Sequence, residues 1–463
     1  MHTSTRRSFL RTTGAAAASA LIVSPSAVWS YAANEKLRFA CIGAGGMAHR
    51  GIMNAMSEHL VAVAEVDPEG VGRQQAEILQ NVKKEFPDSA VYTDYRRLFD
   101  ANHKLDVVWV GVPDHNHFGA AIRALEAGAN VYCEKPLVHD VYETRKIREV
   151  AKAKNLVTQM GNQGHSSDSL RLLCEFVWQG SLGDVTEVHV KNSNDYANYG
   201  GLSKAEVPKG MNWDAWLGPA PEHEYVARSK GGGLHHIGWR GWLEYGTGML
   251  GDWFCHNGDG AVWALKLNEA ETVEVEAESG KPTAENYPKQ AKVVWRFPKR
   301  GDVGPVTLRW FQNMALPRPP ALEPGREAKD LASVYYGSKG MAVAGAWMDG
   351  VRLIPESFQQ QVGRPKEALP RIRKSGKKYE NVSARSRPLP HHEDFLDAIR
   401  EGRKSCADFD YSARLTEIML LGNVALRAGE KFTYDFRAGK CNSDKANALL
   451  RRDPRKGWEF GYV

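Results

Sequence analysis

The feature that most constrains this chain is a glycine-rich turn, Gly43-Ala44-Gly45-Gly46-Met47-Ala48, set between an apolar run and a helix-like segment. The apolar run Leu37–Ile42 leads into it, and a second run, Leu60–Val66, ends beside Glu65 and Asp67. In this context Gly43 makes the tight turn, and Gly45 lets the backbone approach a pyrophosphate. Ala48 is small enough for close helix–strand packing. Gly46 and Met47 open the helix, whose free N–H groups and positive dipole end face phosphate. A carboxylate at the end of the second strand accepts hydrogen bonds from ribose hydroxyls and repels a 2′-phosphate, which favours NAD over NADP. The spacing prefers Glu65 for that role over Asp67, which with Pro68 also starts a turn.

The rest of the first third keeps the rhythm. Val107–Val112, Asn130–Cys133 and Leu156–Met160 read as further strands, with helices over 118–127 and 141–154 between them. Strands apolar on both faces and spaced by helices predict a doubly wound parallel sheet over 35–161. After Gly161 the pattern changes. A helix over 167–179 and a strand over 185–191 precede a long aromatic, glycine-rich stretch, Asn192–Gly251. The alternating runs Thr272–Ala277, Ala291–Phe297 and Val306–Phe311 predict a largely antiparallel sheet with one covered face. Helices over 393–400 and 415–428 follow. The expected fold is thus α/β: an N-terminal Rossmann domain, then an α+β domain over 162–463 that binds substrate and forms the oligomer contacts. An open sheet with a face to bury implies a homodimer or homotetramer.

The first 32 residues are set apart. They hold Arg6, Arg7 and Arg11 and no acid, so half of the formal charge of +6 lies there. Ser4-Thr5-Arg6-Arg7-Ser8-Phe9-Leu10 has the twin-arginine pattern, a weakly apolar stretch runs from Gly14 to Val23, and Ser30-Tyr31-Ala32 is a small-x-small cleavage site. The expectation is a leader read by the twin-arginine export machinery, and a periplasmic or otherwise exported enzyme. The remaining chain is near neutral, which gives no reason to invoke nucleic acid. The basic group Arg451, Arg452, Arg455 and Lys456 reads as solvated surface. No apolar run is long enough to imply stable membrane insertion. The six cysteines form no C-x-x-C pair, and export after folding argues against a disulfide framework, so buried thiols are expected. His115 and His117 lack partners at metal-ligand spacing. No metal is expected, and both are read as lining the nicotinamide pocket.

Three further motifs converge: Val112-Pro113-Asp114-His115-Asn116-His117 at the end of one strand, Glu134-Lys135-Pro136 at the end of the next, and Gly251-Asp252-x-x-x-His256. With the glycine turn they resemble the Gfo/Idh/MocA family of oxidoreductases, from about Lys36 to the C-terminus. The resemblance implies that Lys135, Asp252 and His256 face the nicotinamide. The chemistry agrees, because oxidising a secondary alcohol needs a base for the hydroxyl proton while hydride leaves. Histidine suits that work near neutral pH, and a lysine ammonium favours a developing alkoxide. Pro113, His117, Glu134 and Asn162 are read as cofactor contacts. Gln163, His235, His236, Arg240 and Tyr245 are read as substrate contacts, with Tyr245 the next base after His256. The implied activity is hydride transfer between a nicotinamide cofactor and a hydroxyl or keto carbon of a sugar, cyclitol or polyol. An exported enzyme has no free cytoplasmic NAD to draw on, so a tightly held cofactor cycled between two substrates fits. The alternatives are an NAD-dependent glycosidase, which oxidises C3 transiently, eliminates the aglycone and reduces the product, and a sugar-binding protein with a vestigial site.

Overall fold

In the computed structural model the described residues are 35–70, 74–195, 202–227, 233–235, 237–372 and 389–462. The twin-arginine leader and His236 lie outside them. The first sheet is built from β1 (Arg38–Ile42), β2 (His59–Ala64), β3 (Ala90–Tyr92), β4 (Val107–Val110), β5 (Asn130–Cys133) and β6 (Thr158–Met160). Its order is β3-β2-β1-β4-β5-β6, and every pairing is parallel. Helices 114–126 and 141–154 cover it, which is why β1, β4 and β5 read as continuous apolar runs. β3 went unread because it is only Ala90-Val91-Tyr92 at the sheet edge, too short for periodicity to register. The helix expected from Phe118 begins a turn earlier, at Asp114, because Pro113 fixes the entry and leaves no N–H to satisfy.

The second sheet begins with β7 (Val185–Asn192). The chain then makes its long excursion, which contains a separate antiparallel pair, β8 (Ser203–Lys204) and β9 (Val226–Ala227), before returning as β10 (Thr272–Ser279), β11 (Ala291–Phe297) and β12 (Val306–Gln312). β13 (Ser333–Gly337), β14 (Met341–Ala344), β15 (Arg352–Ile354), β16 (Phe432–Asp435) and β17 (Lys440–Cys441) complete it. The order is β15-β14-β13-β7-β12-β11-β10-β16-β17, antiparallel except for the β7–β12 pair. Helices Gly248–Asn257 and Phe409–Ala428 pack on one face, over Val275, Val293, Trp295, Leu308 and Trp310. Gly422 makes the fit possible: a Cβ there would stand 2.4 Å from the Trp295 ring. The Trp295 indole donates to the Ile418 carbonyl at 2.9 Å.

The opposite face is laced with ion pairs. Arg296 bridges Glu274 and Glu276, and Arg309 bridges Glu187 and Glu278. All six cysteines are unpaired, and all but Cys406 are buried. No described helix is long and apolar enough to cross a membrane. The C-terminal arginines are not simply solvated, as the sequence suggested. Arg452 reaches Glu143 at 2.7 Å and the His115 carbonyl at 2.6 Å, and Arg455 reaches Asp214 at 2.6 Å. They tie the chain end to the first sheet's helices and to the excursion.

Candidate active site

A cavity of about 400 Å³ runs from the glycine turn to the helix that carries Asp252. Gly43 adopts φ +93°, and a Cβ on it would lie 2.4 Å from the Gly111 carbonyl oxygen. Gly46, at φ +55°, has open space where a side chain would be. Ala48 is buried against both Gly43 and Gly111: a Cβ on Gly111 would sit 2.7 Å from its methyl. Gly111 is therefore as necessary to this close packing as the turn glycines, although its strand gave no hint of it. Ala48 supports the loop from behind and does not line the cavity.

Glu65 lines the cavity, with Oε2 accepting from the Ala44 N–H at 2.9 Å and Oε1 from the Asp67 N–H at 3.0 Å. These bonds hold a carboxylate beside the glycine turn, where an adenosine ribose belongs in such a fold. Asp67 is 1% exposed and does not line the cavity; it caps its own turn through Gly70 and meets His235 Nε2 at 3.1 Å. His235, expected near the substrate, thus stands at the ribose end. The excursion folds back over the nucleotide site, with Trp216, Trp239 and Arg240 forming the opposite wall. The Asn212 N–H bonds the Val66 carbonyl at 2.8 Å, and His115 holds the Trp216 and Tyr245 carbonyls. His115 is fully buried in this clamp and does not line the pocket.

At the far end the Lys135 ammonium donates to Asp252 Oδ1 at 2.6 Å and to the Asp252 carbonyl at 2.7 Å. Arg240 Nε donates to the same Oδ1 at 3.2 Å. Lys135 and Arg240 share this carboxylate, so the lysine ammonium stands where it can favour an oxygen that gains negative character. Asp114, which sequence reasoning passed over within its motif, also lines the cavity and accepts from Thr247 Oγ1 at 2.6 Å. Burial pushes its carboxyl up to about 7, with the Asp252 charge adding to the effect. Glu134 is raised to about 7 by burial, against the pull of Lys135. Both Glu134 oxygens are buried without a hydrogen-bond partner, and the absence of a Cβ on Gly161 makes room for them. Unsatisfied buried acceptors beside a glycine cradle fit a bound polar ligand such as the nicotinamide end of a dinucleotide. Pro113, Met47 and His117 line the cavity too, but both His117 ring nitrogens face backbone carbonyls, of Val112 and Pro136.

His256 lies one helical turn beyond Asp252, outside the cavity lining. It is 7% exposed, its Nδ1 has no hydrogen-bond partner, and its ring meets Trp253 and Trp347 edge-on. Burial and then the Lys135 charge lower its pKa to about 3, against the expectation of a histidine poised near neutrality. Three other expectations are corrected. Asn162 is fully buried away from the cavity, donating to Asp259 at 3.0 Å, where His165 and Tyr411 also converge. Gln163 turns back to the Tyr132 hydroxyl at 3.4 Å and does not line the cavity. Tyr245 is 1% exposed, packed among Trp216, Trp242 and His115, because it anchors the excursion. In each case a polar residue beside a motif serves the packing under the site.

Fold and site together define a two-domain protein with a Rossmann nucleotide cleft closed by a mixed-sheet domain. Residues 37–162 match the oxidoreductase family with an NAD-binding Rossmann fold (GFO_IDH_MocA), and residues 177–300 match its C-terminal alpha/beta domain. The chain belongs to the Gfo/Idh/MocA oxidoreductase family. It is 38% identical over 97 residues to D-xylose 1-dehydrogenase (NADP(+)) of Hypocrea jecorina, 21% of this chain and 24% of that one. The chain spans less than half the length of the curated relatives it matches. The fold resembles levoglucosan dehydrogenase in complex with NADH and levoglucosan, at TM-score 0.53 and 19% identity, covering 85% of this chain and 98% of that one. It also resembles aldose-aldose oxidoreductase from Caulobacter crescentus, at TM-score 0.52 and 18% identity, covering 86% and 99%.

Proposed function

We propose that the protein is an NAD-dependent oxidoreductase acting on a CH–OH group of a sugar, cyclitol or polyol, exported with its cofactor by the leader in residues 1–32. The observation that carries this reading is the Lys135–Asp252–Arg240 cluster, which closes one end of a cavity whose other end is the glycine turn and Glu65. A bound nicotinamide would supply the hydride acceptor. The chain's part is positioning and charge. Lys135, fixed by Asp252, stabilises the substrate oxygen as its proton leaves. His256 is neutral at physiological pH and so open to a proton, but its pKa of about 3 makes it a weak base, so the Lys135 ammonium beside the oxygen carries most of the ease of proton loss. Asp252 holds the Lys135 ammonium in place from the same helix that carries His256. Glu65 favours NAD over NADP, and the excursion that walls the cleft favours slow release of the cofactor.

The test is to denature the purified protein and identify any released nucleotide by mass spectrometry, then to follow NADH absorbance with a panel of sugars and cyclitols. NAD(H) release and NADH formation with at least one of them are expected. An absence of nucleotide binding would end the reading.

A further inference from the structure

The loop after β14 holds two consecutive residues in left-handed backbone, Trp347 at φ +55° and Met348 at φ +61°. Bulky side chains rarely adopt this conformation, and where they do the surroundings impose it. Here the imposition is explicit. The Trp347 N–H donates to Asn257 Oδ1 at 3.1 Å, and Asn257 in turn donates to the Lys191 carbonyl at 2.9 Å. The Trp347 carbonyl sits where a side chain on Gly164 would be, 2.5 Å from that Cβ position. Met348 is fully buried against Ser333, Tyr335 and Gly260. The loop is thus fastened to the helix of His256, to the end of the first sheet and to the second sheet.

What this arrangement presents is an indole. The Trp347 side belongs to a residue 50% exposed, although the ring lies 5.4 Å from Trp253 and 6.1 Å from His256. About half of this indole stays exposed beside His256, with Trp253 against the rest. It suits a sugar ring, whose C–H face is apolar while its hydroxyls point outward, so that stacking on an indole leaves the hydroxyls for polar partners.

We propose that Trp347 is a stacking wall for the ring of the substrate, and that the substrate is therefore a cyclic sugar or cyclitol and not an open-chain polyol. This rests on the oxidoreductase reading of the same site. Trp347 lies far along the chain from every motif of the cleft, and the strained loop brings it to His256.

The test uses the full-length protein loaded with NAD. Dissociation constants are measured for methyl β-D-glucopyranoside and myo-inositol as cyclic probes and D-sorbitol as the open-chain probe. The variants are Trp347→Phe and Trp347→Asn, the latter chosen because asparagine tolerates left-handed backbone and preserves the loop. Trp347→Asn should weaken the better cyclic probe by about tenfold, with Trp347→Phe between it and wild type. Sorbitol and NADH binding should stay unchanged. Unaltered binding of the cyclic probes to Trp347→Asn overturns the proposal while leaving the oxidoreductase reading intact, and so does a loss of NADH affinity, which would make the ring a part of the fold. If wild-type protein binds NADH but neither cyclic probe, the sugar reading itself falls and the wall with it.

Discussion

The Lys135 ammonium is locked to Asp252 twice, through Oδ1 at 2.6 Å and through the main-chain carbonyl at 2.7 Å. The lysine ends a strand of the first sheet, and the aspartate sits on a helix of the second domain. The pair fastens the two domains where the cofactor cleft closes, and it fixes a cation whose other N–H can address a substrate oxygen. Lys135→Ala should cut turnover by about 10²–10⁴-fold while NAD still binds, and His256→Ala should do the same. Turnover numbers and NAD titrations on a verified substrate check this. A His256→Ala enzyme with full turnover would remove His256 from the chemistry.

Cofactor choice follows from Glu65. Its carboxylate is held in place by two backbone N–H groups and lines the cavity. Calorimetric titration should show NAD binding more tightly than NADP. Glu65→Ser should narrow the gap, and weaken both, since the Ala44 and Asp67 amides lose their acceptor. Equal affinities in the wild type would defeat the assignment.

Asp114 links the site to stability. Its carboxyl is raised to about 7 from a model-compound value of 3.8. A carboxyl with a raised folded-state pKa binds its proton more tightly folded than unfolded. The favourable contribution is complete below about pH 4 and is lost as pH rises to about 7. Asp114→Asn keeps an acceptor for Thr247 and removes the cost of ionisation. Its melting temperature should exceed that of the wild type at pH 8, by about 2 °C, and match it near pH 4. Thermal unfolding of cofactor-free protein at the two pH values decides the matter.

Export is tested at Arg6 and Arg7. Replacing both by lysine should leave the protein in the cytoplasm with residues 1–32 attached, as fractionation and intact-mass measurement would show. Normal export of the double variant means another route.

The amino-acid sequence alone determined five of the first sheet's six strands and the glycine-turn end of its nucleotide cleft. Strand, glycine turn, helix and carboxylate lie within one short stretch, so local spacing encodes their geometry. Lys135 and Asp252 were legible through Glu134-Lys135-Pro136 and Asp252-x-x-x-His256, short motifs that carry a family resemblance. Tertiary structure decided the rest. Tyr245, Asn162 and His235 stand beside recognisable motifs, yet their surroundings come from segments distant in sequence, which turned two of them into packing and the third toward Asp67. His256 was legible as a residue while its basicity was not, because desolvation by the folded protein sets it. Trp347 could not be read at all. Its place beside His256 depends on a loop held left-handed by Asn257, Gly164 and a buried Met348, and no local pattern in a chain records contacts made only when remote elements pack together.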